Sequence, residues 1–209
     1  MSRQSVTNVT GGRNAESPTE SESENGHRGC LGACTRETKN NTLVLKTDDF
    51  VFCLAALDDG RFASGGGLRG DENWPIIIWS TDGGKEVARL EPTGPVRCLA
   101  ALAGGRLASC CERDRSIIIW NLADGTHTTL KGHNSNIRCL AALGRDRLAS
   151  GSWDKSIIIW NVADRKRQQL ATLKGHTDWV LSLAALGGDR LASGSRDKSI
   201  DAYRGGLGR

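Results

Sequence analysis

The chain has 209 residues, 38% hydrophobic and 25% charged, with a formal net charge of +4. That length bounds one or two ordinary domains, and the charge is too mild for a polyelectrolyte built to hold nucleic acid. No apolar run reaches the eighteen residues of a membrane-crossing helix. Seven cysteines without an apolar leader point to free thiols in a reducing compartment. The expected location is the cytoplasm, with the nucleus left open.

Residues 1–41 carry five Lys/Arg and five Glu, are rich in Ser, Thr, Asn and Gly, and have almost no aliphatic side chains. Such a stretch cannot bury enough surface to offset ordering entropy, so it is expected to be a disordered polar tail. The run "SPTESESE" reads as a phosphorylation target or a plain linker. Cys30 and Cys34 form C-x-x-x-C with only His27 close by, too few ligands for a metal site, and no cofactor or metal site is expected elsewhere. Residues 42–49, "TLVLKTDD", come next and read as a possible closing strand.

From Val51 the chain repeats. Units begin at Val51, Val96, Ile137 and Val180, spaced 45, 41 and 43 residues apart, a period that indicates a propeller or solenoid. "CLAAL" opens three units and "SLAAL" the fourth. A polar turn comes after it ("DDGR", "AGGR", "GRDR", "GGDR"), then "FAS" or "LAS" with Ser64, Ser109, Ser150 and Ser193 at matching positions. "SIIIW" closes the second and third units. It lacks apolar/polar alternation, because Ile157 and Ile159 point one way while Ile158 and Trp160 point the other. A strand apolar on both faces needs cover on both faces, which suits sheets stacked around an axis. A weaker outer strand is expected over 85–90, 126–130 and 168–173. Cys53, Cys98 and Cys139 share one inner-strand position and read as small buried packing residues.

The stretches "LKGH" (130–133 and 173–176), "LASGSWDKSIIIW" and "LASGSRDKSI" make the chain resemble the WD-repeat family over about residues 42–203. The resemblance implies an all-β fold: a WD-repeat β-propeller of about four blades, a closed small ring or an open arc, after the disordered N-terminal tail. It also implies a hydrogen-bonded chain inside each blade. The third unit has the full set, His133, Ser150, Asp154 and Trp160. The fourth has His176, Ser193 and Asp197, with Tyr203 at the Trp position. The second has Ser109, Asp114 and Trp120 with Pro92 at the His position, and the first has Ser64 and Trp79 with Thr47 there. Closure in this family implies that Thr42–Lys46 pairs with the strand around Ser199–Tyr203.

Ser, His and Asp also compose a hydrolase triad. Here the set recurs twice, and each Ser lies on a regular strand following Leu-Ala, not on a strained nucleophile elbow. A structural clasp accounts for recurrence; catalysis does not. His27 and His127 are isolated and polar in context, and read as solvated. The expected function is a non-enzymatic scaffold that presents loops of one propeller face to protein or peptide partners. That face would show Arg113, Asn134, Asn136, Trp153, Thr177, Asp178, Trp179 and Arg196, and two tryptophans among arginines match the composition of interface hot spots. The bland alternative is that Trp153 and Trp179 pack on neighbouring blades. Self-association through open blade faces is the other expected contact. The remaining readings are a truncated or non-functional propeller fragment, an enzymatic propeller, and a nucleic-acid binder using Arg165, Lys166 and Arg167, which a solvated turn also explains.

Overall fold

The computed structural model describes residues 35–39, 42–47, 49–67, 74–112, 114–144, 146–163 and 168–206, all within one compact unit, Gly32–Arg209. Two strands open it, β1 (Thr35–Lys39) and β2 (Thr42–Lys46), paired antiparallel with each other. Four sheets come next in chain order. The first holds β3 (Val51–Ala56), β4 (Arg61–Gly66), β5 (Ile76–Ser80) and β6 (Glu86–Leu90). The second holds β7 (Val96–Leu102), β8 (Arg106–Cys111), β9 (Ser116–Asn121) and β10 (His127–Lys131). The third holds β11 (Ile137–Gly144), β12 (Arg147–Ser152), β13 (Ile157–Asn161) and β14 (Gln169–Leu173). The fourth has three described strands, β15 (Val180–Gly187), β16 (Arg190–Ser195) and β17 (Ile200–Arg204). Each sheet is a meander in which sequential strands pair antiparallel.

The two-faced "IIIW" strands explain why the sheets stack. Ile157 and Ile159 of β13 pack toward the fourth sheet with Val180 and Leu191. Ile158 and Trp160 of the same strand pack toward the second sheet with Cys98, Ala100, Ile117 and Ile119. Burying each such side chain contributes about 1.5–3 kcal/mol. The internal interfaces share one arrangement, with Ile137 for the valine at the second and Tyr203 for the tryptophan at the third. The Cys/Ala face of one sheet receives the Val, Leu and Trp face of the next, as when Ala55, Ala63 and Ile76 meet Val96, Leu99 and Trp120. A knob and a hole lock the first and third of these interfaces, while in the second Cys110 stands in the glycine's place against Ile137. A Cβ on Gly65 would lie 2.8 Å from Val96 Cγ1, and one on Gly151 would lie 2.6 Å from Val180 Cγ1. Glycine leaves room for the leading valine of the next sheet. Ion pairs run along the lower turns in the same direction, from Arg106 to Asp146 and from Arg147 to Asp189.

The series is open. Inner strands β3, β7, β11 and β15 pack consecutively, and β15 makes no comparable contact with β3. The predicted latch does not form: Thr42–Lys46 pairs with Thr35–Lys39, and β17 is an edge among the described strands. Pairing with Ser199–Tyr203 required the two ends of the series to meet, and four sheets do not turn far enough. Leu43 and Leu45 of β2 sit instead beside the turn of the first sheet, where a Cβ on Gly84 would lie 2.5 and 2.6 Å from their Cδ2 atoms. β1 also corrects the N-terminal reading, since residues 35–39 form a strand; residues 1–34 of the expected tail lie outside the described residues.

The free-thiol expectation is corrected as well. Cys98 and Cys110 stand opposite each other in the β7–β8 register and form a disulfide. Cys110 occupies the position of Gly65, Gly151 and Gly194, where a Cβ would crowd the inner-strand side chain at 3.3, 2.6 and 2.7 Å. In the second sheet the crowded neighbour is itself a cysteine, so the contact becomes a bond. Cys53, Cys111 and Cys139 are free. Burial pushes Cys53 and Cys139 up to about 12 and Cys111 to about 11, which leaves them as unreactive packing groups.

Candidate partner-binding surface

The hydrogen-bonded chain shapes the turns on one side of the sheets. In the third sheet Trp160 Nε1 donates to Ser150 Oγ at 2.7 Å. The Ser150 hydroxyl then donates to His133 Nε2 at 2.7 Å, and His133 Nδ1 donates to Asp154 Oδ2 at 2.8 Å. This direction of donation is the one that satisfies all four groups. Asp154 also accepts from the backbone of Asn134 at 2.9 Å and from Ser156 Oγ at 2.6 Å. Burial works to raise its pKa, but the bonds from His133, Ser156 and Asn134 outweigh it and hold the carboxyl well below the usual carboxylate range. Lys155 takes a left-handed φ of 71°, which closes the tight turn and turns Asp154 back toward the loop carrying His133.

The fourth sheet repeats most of this. His176 Nδ1 lies 2.9 Å from Asp197 Oδ2, and its Nε2 lies 2.7 Å from Ser193 Oγ. Hydrogen bonding from Ser199 leads the causes that hold Asp197 below its ordinary pKa, against a desolvation penalty. Tyr203 does not replace the indole donor one for one, because its hydroxyl donates to Asp201 at 3.3 Å. The first and second sheets keep the Trp–Ser bond, Trp79 to Ser64 and Trp120 to Ser109, both 2.8 Å. With Pro92 where His would stand, the neighbouring Thr93 donates to Asp114 instead.

These clasps fix a surface of loops. Trp153, in the β12–β13 turn, stacks on Trp179, in the loop before β15, with ring centroids 4.3 Å apart and planes 15° apart. The pair bridges the third and fourth sheets while both rings remain half-buried. Arg138 lies 5.4 Å from the Trp153 ring centroid, and Arg196 lies 4.6 Å from that of Trp179. The four side chains make a cation–aromatic–aromatic–cation ladder. Asp178 places an oxygen 3.9 Å from Arg196 Nε and accepts the Trp179 backbone N–H at 2.8 Å. Asn136 and Trp179 each offer a backbone carbonyl to the opposing turn, to Trp153 N and Arg196 N, both at 2.9 Å. Asn134 and Thr177 are exposed, their backbone N–H groups bound to Asp154 and Asp197. Arg113 lies outside the described residues.

Sequence reasoning missed Arg138 and a second ladder beside it. Arg97 lies 4.4 Å from the Phe52 ring centroid, and its Nη2 donates to Glu112 at 2.7 Å. The available signal was an Arg in second place on two inner strands, in "VRC" and "IRC". His127 is not isolated either: exposed as it is, its ring centroid is 5.1 Å from that of Trp120. The two rings help line a cleft of about 250 Å³ to which no carboxylate or thiol contributes. Among the described residues no cluster of His, Cys, Asp and Glu could hold a metal ion, and no helix is long and apolar enough to cross a membrane. The Arg165–Arg167 cluster lies outside the described residues.

Four antiparallel sheets with an inner strand of small residues, stacked in chain order, the third clasped by a full Trp–Ser–His–Asp chain and the others by parts of it, define a propeller-type repeat protein. Three consecutive stretches, residues 84–121, 125–161 and 167–201, match the WD40 family (WD domain, G-beta repeat), and the chain belongs to it. Among solved structures it is similar to the computationally designed Ika4 protein, at 22% identity and a TM-score of 0.65 over 77% of this chain and 94% of that one. It is also similar to U3-55K, at 26% identity and a TM-score of 0.62 over 78% of this chain. A third likeness is to the WD40 repeats of RRP9, at 27% identity and a TM-score of 0.62 over 77% of this chain. The chain spans about half of these last two, 54% and 52% of their lengths. No curated protein sequence matches the chain significantly. WD40 repeats generally mediate protein–protein interactions.

Proposed function

We propose that this chain is a non-enzymatic scaffold that binds a protein or peptide segment on the loop face carrying Arg138, Trp153, Trp179 and Arg196. The Trp153–Trp179 stack between two guanidinium groups carries the reading. Large half-buried rings give contact area at low entropic cost, and Trp and Arg are the residues that dominate binding when truncated. The arginines favour a segment with carboxylates beside apolar side chains. The clasp residues support this reading against a hydrolase, because Ser150 has no exposed surface and Ser193 is buried, so neither hydroxyl can meet a substrate.

The test is selection of peptides from a displayed random library on the wild-type chain. Peptides so enriched should lose at least about tenfold in affinity for the Trp179→Ala/Arg196→Ala chain, the loss typical of removing a hot spot. Equal affinity for both chains overturns the assignment of this face.

A further inference from the structure

The two ends of the sheet series carry the two halves of the interface that joins the first sheet to the second and the third to the fourth. At internal positions the leading residue of the inner strand is sealed: Val96 is 0% exposed, Ile137 1% and Val180 0%. Its counterpart in the first sheet, Val51, is 48% exposed, and Leu54 beside it is 64% exposed. The hole is open at the other end. A Cβ on Gly65 or Gly151 meets the valine of the following sheet, whereas one on Gly194 meets only Ser182 of its own sheet. Ile200 on that face is 80% exposed, where its counterpart Ile157 is 1%. Val51 is thus a knob without a hole and Gly194 a hole without a knob.

Two further features end the same way. Arginines of the second and third sheets reach the turn aspartate of the next sheet, Arg106 to Asp146 and Arg147 to Asp189. Arg190 of the fourth sheet, with no further sheet after it among the described residues, donates to the carbonyls of Gly187 and Leu186, at 3.2 and 3.1 Å. The corresponding turn of the first sheet offers exposed Asp58, beside Asp59, which accepts from Arg61 of the same turn at 2.7 Å. The fourth sheet also has one described strand fewer than the others, with β17 as its edge. The sequence "LVLK" of β2 stands before Val51 as "TTLK" stands before Ile137 and "ATLK" before Val180. β2 already lies against the first sheet through Leu43 and Leu45, and among the described strands it pairs with β1.

We propose that two copies of this chain associate head to tail, each copy's fourth sheet receiving the first sheet of the other, and β2 of each continuing the three-stranded sheet of its partner. The occupant of each open face is a second copy because the faces fit each other by contacts that recur between successive sheets: the Val51 knob to the Gly194 hole, Asp58 to Arg190, and an outer strand to a bare edge. A head-to-tail contact closes only if its rotation does. Two copies supply eight sheets, within the size range of closed propellers.

Sedimentation equilibrium of the full chain over a range of loading concentrations tests this, with the chain mass of 22.4 kDa as the unit. Wild type should approach twice that mass. Leu54→Asp and Ala184→Lys, on exposed positions of the first and fourth sheets, should each remain at the single-chain mass with an unchanged circular dichroism spectrum. Ala123→Asp, in an exposed turn of the second sheet, should behave as wild type. Mixing the Leu54→Asp and Ala184→Lys chains should restore the double mass, because one interface then pairs Asp with Lys and the other is wild type. A single-chain mass for wild type at every concentration, as when another segment of the same chain covers the faces, overturns the proposal. So does disruption by only one of the two variants, which would mean like faces pair, or a ladder of higher masses, which would mean the contact does not close.

Discussion

The third and fourth sheets are written in nearly the same letters and end in different surroundings. "IRCLAALGRDRLASGSWDKSIIIW" fills one and "VLSLAALGGDRLASGSRDKSIDAY" the other. Both keep the His–Ser–Asp clasp at 2.7–2.9 Å, because its members all belong to one sheet and the loop leading into it. What differs is everything that depends on a following sheet. Ala141 is buried and Ala184 exposed, although each is the same residue in the same strand position. Burial in a stacked repeat is therefore a property of the neighbour, whereas the hydrogen-bonded clasp is a property of the unit. The substitutions follow that division. Ile158 and Trp160, sealed between two sheets, become Asp201 and Tyr203 in the sheet that is covered on one side only.

The largest expected effect separates the two sheets. Trp160→Ala removes a fully buried indole and the donor to Ser150, and should cost about 3–5 kcal/mol by equilibrium denaturation. Tyr203→Ala, at a half-buried ring whose hydroxyl donates to Asp201, should cost no more than about 1–2 kcal/mol. Equal losses would mean that the fourth sheet is as well enclosed as the third.

A smaller effect should unite them. Asp154 and Asp197 both have folded pKa values held below the ordinary 3.8. The folded state therefore binds fewer protons than the unfolded state between the two values. The stability from each carboxylate is complete above about pH 4 and is lost as pH falls through the folded value. Asp154→Asn and Asp197→Asn should each lower stability at neutral pH and flatten its decline in acid. A steep acid limb retained in both variants would show that the clasps contribute nothing to it.

The repeat itself was legible because each unit must present the same two faces, so "LAAL", "LAS" and "SIIIW" recur at fixed places. The latch was not. Thr42–Lys46 has the pattern of an outer strand, but which edge it meets depends on how far four sheets turn, and no local pattern records that. The Cys98–Cys110 bond was readable in principle: Gly104 lies midway between them in a tight turn, so the hairpin register sets them opposite each other. Reading each cysteine along its own strand hid that pairing. On the loop face, the repeat placed Trp153 and Trp179 on the same side of the molecule. Their stacking, and the guanidinium of Arg138 over one ring, arise from adjacency of two sheets and have no counterpart in the letters of either.

The claim that the neighbouring sheet decides burial is tested most directly at position 182, where the fourth unit carries Ser in place of the cysteine of the other three. In a Ser182→Cys chain the new thiol should be alkylated rapidly in dilute solution, while Cys139, at the matching place in the third sheet, stays protected, as peptide mass spectrometry of a labelling time course would read. Comparable labelling rates at the two positions would contradict that claim.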